Sequence, residues 1–470
     1  MNLVKLLTLL SLFHCCFVFS QENNTNSLNS LIKTFHVNEK KSVVSNEPLL
    51  EQVKEFLDKE ETSQEHKVEL IDMLLSHYME KGQSIEFNRF YTKYSPRLKN
   101  SRLHLFFWDY INHSVNQNYE LSIAAARSHF KEAKINGNND DLSTSYRFMA
   151  KAFMNLNVKD SSLFYANLAL NYARRSNSEN AVLKTFKTQS EIYNHFGMIG
   201  QSTSVLIKFI DEAEKTRDEK SICWGTIQIA HKSFQIRYYN EAKTYLRKAL
   251  SLAEKNGATF YSSIIHRGLA EISLALEDIN EAKQQLKRCT PLIDNQEQSA
   301  NNSLIKLTNA KLLILENRYN EACDELEEIV DQFDGLHHNE GKANAFNLLG
   351  QLFFKKQQWK NSEEYYKKSL VLLSQDEFNP IRLDNHKYLA EIYALQKDYT
   401  KAYKNLEEYE KYSNINSSIS STKAINELTQ MYSRELREYR IKEQEQVISN
   451  QKKEKELLAL KSDKQFSTII

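Results

Sequence analysis

The sequence predicts an all-α protein: an α-solenoid of about eight to nine helical hairpins followed by a long C-terminal helix or coiled coil. Three observations carry that reading. The 470 residues include only 10 Gly and 4 Pro beside 24 Tyr and 24 Phe. Both turn-formers fall far below their usual share, whereas many short strands joined by tight turns need more of them. A forty-residue register of small and apolar residues runs from residue 103 to 422 without insertion or deletion. Residues 423–464 then hold no Gly or Pro and are dominated by Glu, Lys, Gln, Arg and Leu.

Taken in order, Met1–Ser20 reads as a secretory signal. Lys5 is its sole charge, an apolar run spans Leu6 to Phe19, and Val18 and Ser20 stand at the −3 and −1 positions of a cleavage site. Residues 21–47, rich in Asn, Ser and Lys, read as a flexible leader. Residues 48–102 are predicted to cap the array: Leu49, Leu50, Val53, Phe56 and Leu57 form an amphipathic stripe behind Pro48, and Val68–Tyr94 reads as an irregular hairpin.

The array itself, residues 103–422, shows its period in columns. One small position of the first helix reads Ala150, Ser190, Ala230, Ala270, Ala310, Gly350 and Ala390, with Tyr110 as the departure. The matching position of the second helix reads Ser122, Ser162, Ser202, Ala242, Ala282, Ala322, Ser362 and Ala402. Small residues let two helices approach closely while bulky ones fill the groove opposite. Asp160, Gly200, Asn240, Asn280, Asn320 and Thr400 are expected just before the second helix, where their side chains accept its first amides or, for Gly200, the backbone is relieved.

Past Tyr412 the register breaks in a Ser/Asn-rich stretch. Ile425, Leu436, Val447 and Leu458 then recur every eleven residues, the spacing of a nearly straight coiled coil. Self-association through residues 423–464 is therefore expected, against the alternative of one solvated helix laced with i,i+4 ion pairs. Residues 465–470 read as a tail or the first residues of an apolar segment, which allows membrane association at the C-terminus.

No sequence pattern points to catalysis. His-Glu-x-x-His, Cys-x-x-Cys, Gly-x-Ser-x-Gly and Gly-rich phosphate loops are all missing, and no cofactor or metal is implied. His337–His338 sits in a polar turn and reads as a solvated loop. Cys223, Cys289 and Cys323 are an odd, sparse set rather than a disulfide framework, and read as buried inert thiols. A net charge of +1 leaves no footprint for nucleic acid. The chain is not expected to be an enzyme.

Phe346, Leu349, Gly350, Phe353, Ser362, Tyr366 and Ser369, and likewise Leu389, Ala390, Tyr393, Tyr399, Ala402 and Leu406, resemble the tetratricopeptide repeat family. Two departures are the period of forty in place of thirty-four and the missing closing Pro. The resemblance implies a right-handed α-solenoid whose first helices line a concave, partner-binding face. By that carry-over the face includes Arg147, Lys151, Lys184 and Lys187, then Trp224, Ile227, His231 and Phe234, then Arg267 and Lys311. Cations and aromatics in this order suit a protein or peptide partner carrying carboxylates and apolar side chains. The leading expectation is an exported, non-enzymatic, periplasmic or envelope-associated binding solenoid. The layout also resembles the extracytoplasmic sensor part of bacterial regulators, with a kinase or DNA-binding output beyond residue 470. An envelope assembly adaptor or chaperone is the third class.

Overall fold

The computed structural model describes residues 28, 30–34, 47–59, 62–80, 83–255, 259–289, 300–336, 338–373 and 379–419, with isolated positions beyond. Every described element is helical. Three helices open the chain: α1 (Glu47–Asp58), α2 (Gln64–Glu80) and α3 (Ser84–Tyr94), followed by a 3-10 turn at Ser95–Leu98. Eight hairpins then stack in sequence. The first four pair α4 (Arg102–Val115) with α5 (Tyr119–Asn136), α6 (Asn139–Asn155) with α7 (Lys159–Arg175), α8 (Glu179–His195) with α9 (Ile199–Lys215), and α10 (Glu219–Gln235) with α11 (Tyr239–Lys255). The last four pair α12 (Thr259–Ala275) with α13 (Ile279–Cys289), α14 (Ala300–Leu315) with α15 (Tyr319–Gly335), α16 (Asn339–Lys355) with α17 (Trp359–Leu372), and α18 (Pro380–Leu395) with α19 (Tyr399–Ile419). The second helices all begin forty residues apart, so the architecture is an α-solenoid in strict register. α11 shows why each forms: Ala242, Leu246, Ala249 and Ala253 fall on one face and are buried, while Glu241, Arg247 and Glu254 are exposed.

The two columns of small residues prove to be two sides of one contact. Ser162 Oγ donates to the Ala150 carbonyl at 2.8 Å, Ser202 Oγ to that of Ser190 at 2.9 Å, and Ser362 Oγ to that of Gly350 at 2.8 Å. The Ala230–Ala242, Ala270–Ala282 and Ala310–Ala322 pairs are buried at the same positions. A residue here must be short enough for the helices to touch, and a hydroxyl is tolerated because a carbonyl of the facing helix accepts it. Where Tyr110 breaks the pattern, its ring stacks on Phe148 at 3.9 Å and Ser122 turns back to the Asn118 carbonyl. Gly350 matches the largest neighbour: a Cβ there would come within 2.7 Å of the Tyr366 ring.

Each hairpin turns on a single left-handed residue. Gln117, Asn157, Gly197, Arg237, Glu277, Asn317, Gln357 and Lys397 have φ between 58° and 67°. The amide after each reaches back five residues, as from Val158 to the Phe153 carbonyl at 2.8 Å and from Gln358 to that of Phe353 at 2.9 Å. This Schellman closure satisfies the last carbonyls of the first helix and starts the second helix at once. Consequently the residues expected just before the second helix (Asp160, Gly200, Asn240, Asn280, Asn320 and Thr400) lie inside it, as its second residue. The N-cap falls two positions earlier. Asp278 and Asp398 do cap there, accepting the amides of Glu281 and Lys401, but Val158, Met198, Arg318 and Gln358 offer no side-chain cap. The turn, rather than a cap residue, sets where the helix begins.

Other expectations change in detail. Within the stretch expected to be a flexible leader, residues 30–34 are helical, and Leu28, Leu31 and Ile32 pack into the N-terminal core with Leu70, Phe87 and Trp108. Cys223 and Cys289 are buried and donate weakly to the carbonyls of Ala249 and Ser263. Burial pushes both thiols up to about 11. Cys323 is only half-buried and faces Glu327, because it sits one residue off the buried face marked by Ala322. His338 is not a solvated loop residue: its Nδ1 accepts the Gly341 amide at 2.8 Å as the N-cap of α16. The signal segment, His337 and the self-association of residues 423–464 lie outside the described residues. Among those described, no helix is long and apolar enough to cross a membrane.

The stack also winds back on itself. Asn339 Nδ2 at the start of the seventh hairpin donates to Gln117 Oε1 in the turn of the first at 3.2 Å. Two measurements check this account. Ser362→Ala should lower stability by about 1 kcal/mol and Ser362→Leu by about 3 kcal/mol; equal losses in denaturant melts would contradict the close contact. Gln357→Gly should stabilise by about 0.5–1 kcal/mol, since it removes a left-handed Cβ, and a loss would show that the turn is not strained.

Candidate functional site: the inner face of the solenoid

From the second hairpin on, the first helix turns one polar register position away from the core, where the first hairpin has Ile111. It reads Lys151, Glu191, His231, Glu271, Lys311, Gln351 and Glu391, and none of these is buried. Arg147, Lys187, Ile227 and Arg267 occupy the place one turn earlier, and Lys184 and Trp224 flank it. Because the hairpins stack at a constant interval, these columns lie side by side. The structure gathers the expected residues into two groups with a bridge between them.

The first group is ionic. Lys151 Nζ on α6 meets Glu191 Oε2 on α8 at 2.6 Å. Burial raises the Glu191 carboxyl, but Lys151, Lys187 and Arg147 outweigh it and hold the group below the usual range. Arg147 donates from Nη2 to Thr144 Oγ1 at 3.0 Å, and its Nε is buried without a hydrogen-bond partner. Lys184 and Lys187 are exposed on the next helix. Glu191 thus stands among three cations, with a fourth one turn away.

The bridge is Lys187, whose Nζ lies 4.8 Å from the centre of the Trp224 ring. Trp224 in turn meets Phe209 edge to face at 5.0 Å, which fixes its plane.

The second group lines a cavity of about 230 Å³ between α10, α11 and α12. Ile227, Phe234, Leu246 and Gly268 supply apolar wall, while His231 and Arg267 bring polar atoms to it. Gly268 lets α12 approach Leu246 closely: a Cβ there would stand 2.9 Å from Leu246 Cδ1, so that side chain would have to shift. Arg267 Nη1 bridges to Glu271 Oε1 at 2.5 Å, and Thr308 Oγ1 donates to the same oxygen at 3.3 Å. Arg267 Nε is buried and unpartnered. The His231 ring is open to the groove yet surrounded by protein, so the loss of bulk water lowers its pKa. Lys232 adds to the depression, Glu271 opposes it, and Arg267 contributes a further lowering.

Four of the ten expected residues therefore converge on the cavity, and Arg147, Lys151 and Lys187 converge on Glu191. Ile227 serves largely as core, being 7% exposed. Lys311 stands apart. Its charge acts instead on Asp384, whose carboxyl burial raises while Lys311, Lys387 and Arg237 pull it down. The anions Glu191, Glu271 and Asp384 escaped the sequence reading, which sought cations and aromatics. Yet Glu191 and Glu271 share the register position of Lys151, His231 and Lys311, so reading that whole column exposes them. Lys232 also escaped: it is buried where other hairpins place Ala152, Ile192 or Ile272, its Nζ donates to Asn194 Oδ1, and burial pushes its pKa down to about 8. Among the described residues no group of three His, Cys, Asp or Glu could hold a metal.

No protein-family profile matches the chain, and no curated protein sequence does. Among solved structures it is similar to the Rap conjugation gene regulator of the plasmid pLS20 in complex with the Phr* peptide, at 13% identity and a TM-score of 0.52 over 75% of this chain and 96% of that one. It is similar at 12% identity and a TM-score of 0.51 to aspartyl phosphate phosphatase F from Bacillus subtilis, over 74% and 94% of the two chains. A third likeness, at 15% identity and a TM-score of 0.44, covers 88% of this chain and is to a signal-transduction ATPase with a tetratricopeptide repeat sensor from Pyrococcus horikoshii; this chain spans 55% of that protein. At such identities the likeness establishes the fold, an all-helical α-solenoid, and nothing finer.

The electrostatics of the cavity are open to test by NMR titration. His231 should titrate below the ordinary histidine value of about 6.5, and Glu271→Gln should lower it further by removing the one anion that favours the charged ring. A value at or above the ordinary one would contradict the enclosed setting.

Proposed function

We propose that this is a non-enzymatic binding protein that holds an extended peptide, or a segment of a partner protein, along the inner face of the solenoid. The supporting observation is the adjacency of the two groups. An apolar cavity with Arg267 and Glu271 at its wall can take one large side chain and still offer a donor and an acceptor to the peptide group beside it. The neighbouring hairpins then present Arg147, Lys151, Lys184 and Lys187 beside Glu191, a run of cations suited to carboxylates on the ligand. The pLS20 regulator was solved with a peptide, so a solenoid of this fold has room for one. Export, inferred from Met1–Ser20, would place that partner outside the cytoplasm.

Selection from a displayed library of acidic peptides supplies the test. Enriched sequences should carry one large apolar residue flanked by Asp or Glu. The double variant Lys184→Glu/Lys187→Glu should weaken the selected peptide about tenfold or more, equivalent to about 1.4 kcal/mol, with helicity unchanged. Undiminished binding would remove the cationic patch from the site, and failure to enrich any such motif would remove the reading.

A further inference from the structure

A set of links ties the early hairpins to the late ones. Asn339 Nδ2, at the start of α16, donates to Gln117 Oε1 in the turn of the first hairpin at 3.2 Å. Gly335, which ends α15, lies against the first turn of α3: a Cβ there would stand 3.8 Å from Ile85 Cδ1, an ordinary contact distance. Glu340, beside Asn339, acts through space on buried Lys232 near the end of α10. Arg237, in the turn of the fourth hairpin, acts in the same way on Asp384 of α18. One edge is therefore made by α3 and the turn ends of the first and fourth hairpins, and the other by the starts of α16 and α18.

The seam between these edges is unlike the contacts within the stack. Successive hairpins share apolar clusters, as α15 and α16 do through Leu326, Ile329, Leu348 and Leu352. Across the seam Gln117 and Asn339 are exposed, and Ile85 remains 48% exposed. An exposed hydrogen bond and exposed charges contribute little against separation. A small change of rotation at each intervening hairpin therefore parts the edges without breaking any apolar cluster.

The same seam encloses the inner face. The His231 and Asp384 side chains are exposed, yet protein surrounds both closely enough to disfavour their charged forms. A peptide reaches such a surface by threading along its axis or from the side, and entry from the side passes between these edges.

We propose that the two edges part to admit the peptide to the inner face and close again once it is seated, so that the contact of Asn339 with Gln117 gates the site. The gate rests on the peptide-binding reading above. A ligand that gains contacts in the closed form favours that form, and this differential binding is what shifts the equilibrium.

Two measurements on the full chain, with Cys15, Cys16 and Cys323 replaced by Ser, test the gate. Spin labels on Glu120→Cys and Asp331→Cys, both exposed and outside the seam, report its width. The peptide-free protein should show a short and a long distance, and the selected acidic peptide should deplete the long one about tenfold or more. In Gln117→Cys/Asn339→Cys the edges are joined by a short, cleavable bismaleimide, with a monofunctional maleimide as the control. Association of the same peptide should slow about tenfold or more in the joined protein, and cleavage of the linker should restore it. A single distance with and without peptide, or an association rate that the linker leaves unchanged, would overturn the gate. If no peptide is enriched, the peptide reading fails by itself and the peptide-free distances still decide: two populations keep the moving seam, and one removes it.

Discussion

The structure depends on how closely the two helices of each hairpin approach. Where Ser162, Ser202 and Ser362 donate into the carbonyls of Ala150, Ser190 and Gly350, there is no room for a larger side chain. That contact brings backbones together, so the bulky residues around it, Leu246 or Tyr366, fill the remaining grooves at interior density. It also keeps the hairpins uniform. A stack of uniform units adds each new hairpin with the same rotation, and a column of residues in sequence becomes a line in space.

The inner face follows from that regularity. Lys151 reaches Glu191 because both hold the same position on successive first helices. Lys187 reaches Trp224 for a similar reason. Charges placed on a concave surface lose bulk water without being buried outright, which strengthens their mutual attraction and depresses a lone imidazole such as His231. The winding that brings Asn339 to Gln117 and lets Asp384 feel Arg237 deepens this enclosure. The peptide proposed above would meet cations and a shaped apolar recess already in place.

The two ends solve the problem of an open stack differently. At the start, α1 to α3 form an aromatic-rich cluster with Leu70, Phe87, Tyr94 and Trp108. It is tied to the first hairpin by Trp108 Nε1 donating to Asp72 at 2.6 Å and Tyr91 donating to Asp109 at 2.5 Å. At the other end Leu406 and Tyr409 retain the repeat's interior chemistry. A quasi-linear protein has as much to settle at its termini as in its middle, because each interior face is stabilised only by the next unit.

By itself the sequence determined the helical class, the interval of forty, and the small pairs, since a close helix contact admits few residue types and so leaves a readable column. Through the resemblance it also named ten first-helix residues, of which Ile227, His231, Phe234 and Arg267 line one cavity. The start of each second helix was misplaced, since a left-handed turn tolerates Gln, Glu, Lys or Arg when stacking imposes it and so leaves no signature residue. Only the tertiary structure decided that Glu191 neutralises part of the cationic group, that Gly268 packs close against Leu246 at the cavity wall, and that the first hairpin meets the seventh. Those facts rest on the curvature accumulated over many hairpins, a sum of small rotations that no single residue encodes.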